Sequence, residues 1–200
     1  MPTSIDPIVT LKKLQDCGYF KYVPESDKEA ALKLALESLG TGLLSIDLSL
    51  YETKKIPASL DRRRFGIDGE ALAEGGIRKT LQNMYAEVLS KEGVPSLEVE
   101  QKIGSGDGYK VVVNNKLYEI YSESDISSAP IWQMSLVGLM RIVNDLLSDV
   151  GSQERLYGIH ADNDGAAIFL TAELYQFFIE TGINMSDYSV KPRTAEELLS

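Results

Sequence analysis

The sequence predicts an α+β protein, and three observations carry that expectation. Runs with helical spacing alternate irregularly with strand-like runs, without the regular β-α-β order of a doubly wound fold. The strand-like runs come in pairs joined by short turn signals, as antiparallel hairpins do. Over 200 residues, 44% are hydrophobic and 25% charged, an ordinary globular balance with enough apolar side chains for a core. The expected architecture is N-terminal helices followed by an antiparallel sheet built from hairpins, with helices packed on one face. One domain spans 1–200, with a helical N-terminal part (1–42), a sheet-and-helix core (43–182) and a polar, loosely packed tail (183–200).

Each element has a local reason. Asp6 followed by Pro7 is a helix start, a capping side chain before a proline at the first helical position. Ile8, Val9, Leu11 and Leu14 then form an apolar stripe ending near Gly18. Ser26 and Glu29 have the spacing of a capping box for a second helix. Its inward side is Ala31, Leu32, Ala35, Leu36 and Leu39, and Gly40 stops it. Leu44, Ile46, Leu48 and Leu50 alternate with polar residues as in a half-buried strand. Residues 51–63 read as a connection and Arg64 to Ile67 as a short strand. Ile77, Leu81, Met84, Tyr85 and Val88 recur at helical spacing, closed by Gly93 and Pro95. Leu97 to Ile103, Tyr109 to Val113 and Leu117 to Tyr121 are three strand runs, the last two joined by a tight turn at Asn114-Asn115.

The longest helix opens at Pro130 and ends at Gly151, with Trp132, Leu136, Leu139, Met140, Val143, Leu147 and Val150 on its apolar face. Trp132 is expected to be largely buried. Leu156 to Ala161 and Ala166 to Leu170 form a further strand pair around Asp162-Asn163-Asp164-Gly165. Thr171 caps a short helix in which Leu174, Tyr175, Phe177 and Phe178 are available for burial, and Thr194 with Glu197 could cap a last turn.

Composition excludes much chemistry. One cysteine rules out an internal disulfide, and one histidine rules out a site with two imidazoles. The N-terminal run has no basic leader before an apolar stretch, and no stretch approaches 18 uninterrupted apolar residues. A cytoplasmic protein without a membrane span is expected. Gly104 to Gly108 lacks the following helix that a phosphate-cradling loop needs, so it reads as a hairpin turn. His160, Asp162 and Asp164 ahead of Gly165 match half of a calcium loop. The first ligand is wrong for a hard cation and Thr171 stands where a bidentate Glu is needed, so neither metal nor cofactor is expected. Cys17 lies at the C-terminal end of its helix, where the dipole disfavours a thiolate, and reads as structural.

Two surfaces remain as candidates. Arg62 and Arg64, within Asp61-Arg62-Arg63-Arg64, could bind a phosphate or carboxylate, although one arginine of such a run is expected to pair internally. An enzyme reading would bring Arg62 or Arg64 together with Asp68 or Glu70, as a hydrolase or transferase. The second candidate follows from charge. The chain carries a net −10, and residues 117–200 account for −9 of it, with 13 acidic against 4 basic side chains. Such a field repels nucleic acid and steers a basic protein towards it. Asp162, Asp164, Glu173 and Glu180 are the expected partner-binding acids, with Tyr175 and Phe178 as apolar anchors. If both rings are core instead, they contribute stability and not affinity. A homodimer through the aromatic side chains of the last helix is a third reading.

The run Glu154-Arg-Leu-Tyr-Gly-Ile-His-Ala-Asp-Asn-Asp-Gly-Ala-Ala-Ile-Phe-Leu-Thr-Ala-Glu-Leu-Tyr resembles the C-terminal region of small, acidic bacterial immunity-type proteins. There, an R-L-Y strand, an N-D turn and an apolar strand ending in L-T lead into a short helix. The resemblance covers the order of elements over about residues 60–180. It implies a non-enzymatic inhibitor that occludes a toxin stoichiometrically, and it transfers no catalytic or toxin-contacting residue.

Overall fold

In the computed structural model, which describes residues 6–44, 59–104, 108–127, 130–160, 164–184 and 191–199, the α+β class holds. The hairpins divide between two antiparallel three-stranded sheets. Helices α1 (Pro7–Asp16) and α2 (Lys28–Leu39) come first, then strand β1 (Arg64–Asp68). Residues 69–91 wind irregularly as α3 (Gly69–Ala71), α4 (Ile77–Lys79) and α5 (Ala86–Lys91), separated by π-helical turns at Leu72–Gly76 and Thr80–Met84. Gly75, at φ 106°, interrupts the first of these, and Gln101 Nε2 donates to its carbonyl at 2.6 Å. Strands β2 (Val99–Gly104), β3 (Gly108–Val113) and β4 (Lys116–Tyr121) form one sheet in the order β2-β3-β4. Asn114 and Asn115 both take positive φ in the turn between β3 and β4, the conformation that a two-residue hairpin of matching twist requires. Helix α6 (Ile131–Asp149) leads to β5 (Glu154–His160), β6 (Asp164–Thr171), α7 (Ala172–Thr181) and α8 (Ala195–Leu199). The second sheet has the order β1-β6-β5.

Helices cover both faces of that second sheet, which explains the unbroken apolar run of β6. Ala167 and Phe169 join a core with Phe65, Leu156, α6 and the β2-β3-β4 sheet. Ile168 and Leu170 point the other way, into a core with Leu14 of α1, Ala31 and Ala35 of α2 and Leu174 and Phe178 of α7. Successive strand residues alternate faces, so a strand between two cores is apolar at every position. Ile168, Phe169 and Leu170 each contribute roughly 1.5–3 kcal/mol by burial, and Ala167 less. The expectation of helices on one face therefore becomes helices on two. Among the described residues no helix is long and apolar enough to cross a membrane.

Several local expectations hold. Asp6 accepts from the amides of Ile8 (2.9 Å) and Val9 (3.2 Å), and Thr171 accepts from Leu174 N (3.2 Å). Thr194 and Glu197 form a reciprocal capping box on α8. Others do not. A 3₁₀ turn at Glu25–Asp27 precedes α2, and Ser26 bonds to Asp27 instead of capping the helix. Ile8 and Val9 are exposed, because α1 meets its neighbours through Thr10 and Leu14. The strand expected over residues 44–50 lies almost wholly outside the described residues.

Two corrections matter for function. Trp132 is 43% exposed, not buried. It shares the apolar face of α6, but in the first turn only Ile131 and Met134 pack partly on the core, and the indole is left exposed. The contact is centred further along, at Gly138, where an added Cβ would lie 2.7 Å from Ile120. The C-terminal stretch is also packed. Ile183, Ala195 and Leu198 are core residues, Leu44 and Asn184 pair through their backbones, and Leu198 sits against Gly158, where any side chain would meet it at 2.6 Å.

Candidate functional site

Helix α7 carries most of the expected partner-binding residues, and its capped start fixes their phase. Glu173, Gln176 and Glu180 follow at i, i+3 and i+7, which places them on one solvent-facing side. Glu173 is not a free charge. Lys13 Nζ donates to it at 2.8 Å and the Cys17 thiol at 3.2 Å. The lysine contact holds the Glu173 carboxyl below its ordinary range, and the same contact raises Lys13. Burial, then the adjoining carboxylate, push the Cys17 thiol up, the opposite of what a nucleophile needs. Glu180 is exposed and accepts from Gln176 Nε2 at 2.9 Å.

The two aromatic candidates part company. Tyr175 is half-buried, stacked on Tyr157 at 4.4 Å and 12°, and its hydroxyl donates to Glu197 of α8 at 3.3 Å. Phe178 is fully buried against Tyr19, so it is a core residue and not an exposed anchor. Its position four residues after Leu174 places it on the inward side of α7. Asp164 is exposed at the start of β6, in register with Asp68 of β1. Seven strand positions, roughly 23 Å, separate it from the end of β6, where α7 begins. Asp162 lies outside the described residues.

The arginine run is largely neutralised from within. Arg62 faces Glu87 at 3.8 Å and Arg64 faces Asp61 at 3.4 Å, and among the described residues no ion pair joins either to Asp68 or Glu70. Asp68 instead caps α3 by accepting from Ala71 N. Arg63 is fully buried, and every guanidinium donor is used. Nη1 and Nη2 grip Glu154 at 2.7 and 3.1 Å, and the remaining donors reach the carbonyls of Gly18, Tyr19 and Phe169. Tyr19 and Tyr22 flank the cation. Lys21 bridges Glu154 and Glu92, and Glu92 also accepts from Tyr22 and Ser152. Asp61 accepts from Ser59, Tyr19 and the Arg63 amide. This seam fastens the end of α1 to the second sheet, and its charges are already partnered.

A third cluster had no distinct sequence signal. Strand β5 is an edge strand, and its outward backbone groups are plugged at two places. Asn144 of α6 donates to Leu156 O (3.1 Å) and accepts from Leu156 N (2.6 Å). Two residues on, Gly158 exchanges backbone hydrogen bonds with Arg193 at 2.9 and 2.8 Å. Covering an edge in this way prevents pairing with another chain. Beside these plugs runs a groove of about 290 Å³ lined by Arg141, Asn144, Asp145, Arg155, Tyr157 and Thr194 to Glu196. Asp145 is occupied by Lys116 at 2.6 Å. Arg155 Nη1 donates to the carbonyls of Ser152 and Glu154, and neither Arg141 nor Arg155 meets a carboxylate among the described residues.

No family model, no curated protein and no solved structure matches the chain.

Proposed function

We propose that this chain is a non-enzymatic protein-binding module, an immunity-type inhibitor acting in the cytoplasm, that docks a basic protein partner on the face shared by α7 and α8. The supporting observation is the seam between these helices. Tyr175 stacks on Tyr157 and bonds to Glu197, so a half-buried aromatic is held in place beside a carboxylate, with the exposed acids Glu180 and Glu196 elsewhere on α7 and α8. A fixed aromatic on a face that also carries exposed acids suits a basic surface, with charge speeding encounter and the ring supplying desolvated contact. Phe178 has no part in it. Asp164 stands at the far end of β6 and contributes at most to the rim.

The experiment is stopped-flow association with a basic partner recovered by affinity capture and reconstituted at a one-to-one ratio. Raising salt from about 50 to about 300 mM should slow association roughly tenfold and leave dissociation nearly unchanged. Glu180→Gln and Glu196→Gln should each lower the on-rate modestly. Tyr175→Ala should speed dissociation while leaving the melting temperature nearly unchanged. A salt-independent on-rate, or a Tyr175→Ala variant that loses only stability, would overturn the reading.

A further inference from the structure

We infer that the groove along the plugged edge of β5 is an oxyanion site, built to take one phosphate or carboxylate group between Arg141 and Arg155. The inference is independent of the partner reading, because it concerns a different surface and the opposite ligand charge.

Both arginines line the same groove, and the backbone fixes the elements that carry them. Arg141 lies one turn before Asn144 on α6, and Asn144 is fastened to Leu156 in both directions, one residue from Arg155. The two arginines thus reach one groove from two rigid elements, and the Asn144 contacts hold those elements in register. Arg155 is further oriented by its Nη1, which is fixed on the carbonyls of Ser152 and Glu154 and leaves Nε and Nη2 for a ligand. The chain carries 30 acidic residues, and the three arginines at 62–64 all face carboxylates. The groove contains the conditions for the same outcome, since Asp145 lies four residues after Arg141. Lys116 takes that carboxylate instead. Neither guanidinium group meets a carboxylate among the described residues, and both belong to residues lining a concave groove.

Arg193, held by its backbone to Gly158, stands beside the groove without lining it, and its buried Nε is out of a ligand's reach. Guanidinium forks suit the planar oxygens of carboxylate and phosphate alike. Glu196 at the rim opposes a large charge, so the site suits one compact anionic group and not a polyanion. The volume of about 290 Å³ admits such a group with a small attached moiety.

The test uses the full chain labelled with nitrogen-15 and titrated separately with inorganic phosphate and with acetate at constant ionic strength. Saturable shifts are expected in the Leu156 and Tyr157 amides, the Asn144 side-chain amide and the arginine Nε–H signals. Arg141→Gln and Arg155→Gln should each weaken the bound anion roughly tenfold, one charge-assisted hydrogen bond's worth. Arg155→Lys, which keeps the charge and loses the fork, should fall between. Arg78→Gln, on a different surface, should change nothing. A tighter phosphate identifies a phosphoryl ligand, and acetate of equal or greater affinity identifies a carboxylate. Absence of saturable shifts with both anions, or equal binding by the double Arg141→Gln, Arg155→Gln variant, would overturn the proposal. If Arg155→Gln fails to fold, exposed Arg141 still decides it.

Discussion

Two groups of arginines in this protein are chemically identical and are treated in opposite ways. Arg62, Arg63 and Arg64 are consecutive, conspicuous in the sequence, and each faces a carboxylate supplied by another part of the fold or by Asp61. Arg141 and Arg155 are fourteen positions apart, inconspicuous, and line one groove beside a strand edge with no carboxylate paired to either among the described residues. The difference shows what makes a cationic site. Clustering along the chain says little, because alternate residues of a strand point apart and buried charges must be neutralised. What matters is which carboxylates the tertiary structure brings within reach. The same lesson holds for the acidic segment 117–200. Its net charge of −9 does not become one acidic face, since Glu154 is taken by Arg63, Asp145 by Lys116 and Glu173 by Lys13.

The sharpest way to break the comparison is to remove one partner from the buried seam. Arg63→Met should lower unfolding free energy by about 3–5 kcal/mol in urea, because Glu154 then stays buried with only Lys21 beside it. Arg63→Met combined with Glu154→Leu should recover much of that loss. A single variant as stable as the wild type would show that the seam is not a closed ion-pair system.

Acid should attack the seam and spare the groove. Burial alone would raise Asp61, but Arg64's charge and the hydrogen bonds from Ser59, Tyr19 and the Arg63 amide hold it below its ordinary range. Glu92 behaves alike, with burial outweighed by bonds from Lys21, Tyr22 and Ser152. A carboxyl depressed in the folded state adds stability that is complete above its unfolded pKa and lost as pH falls through its folded one. The melting temperature should therefore be flat above about pH 5 and fall steeply below about pH 4. Glu92→Gln should make that fall shallower, while Arg141→Gln should leave its shape unchanged.

Smaller effects sharpen the contrast between satisfied and unsatisfied groups. Trp132→Ala should cost about 1 kcal/mol or less, well under the range for a core aromatic, and the indole emission of the intact chain should be red-shifted. The Tyr85 hydroxyl is buried between Phe65 and Phe169 without a hydrogen-bond partner. Tyr85→Phe should thus be neutral or stabilising by up to about 1 kcal/mol in thermal unfolding. Arg141→Gln should change stability by about 0.5 kcal/mol at most, against the large loss at Arg63.

Much of the fold was legible because its signals are local. The Asp6-Pro7 start of α1, the Asn114-Asn115 hairpin, the Thr171 cap and the Thr194–Glu197 box each depend on residues within three or four positions of one another. Such contacts are written into the chain, as is the alternation that marks β3 or the unbroken run that marks β6. The irregular winding of residues 69–91 was not legible, since the apolar spacing of Ile77, Leu81, Tyr85 and Val88 reads the same in a helix with or without π turns. Neither was the start of α6, where periodicity puts Trp132 on the buried face and only the tertiary packing decides whether anything covers it.

The candidate sites belong to the second kind. Arg63 meets Glu154 across 91 positions and Lys13 meets Glu173 across 160, and no spacing rule connects them. By itself the sequence determined the class, most of the helices and strands, and which chemistries lack their residues. The tertiary structure alone decided which charges cancel and which remain. Secondary structure follows from neighbours along the chain, whereas a charge is judged by whatever the fold places within a few ångströms of it.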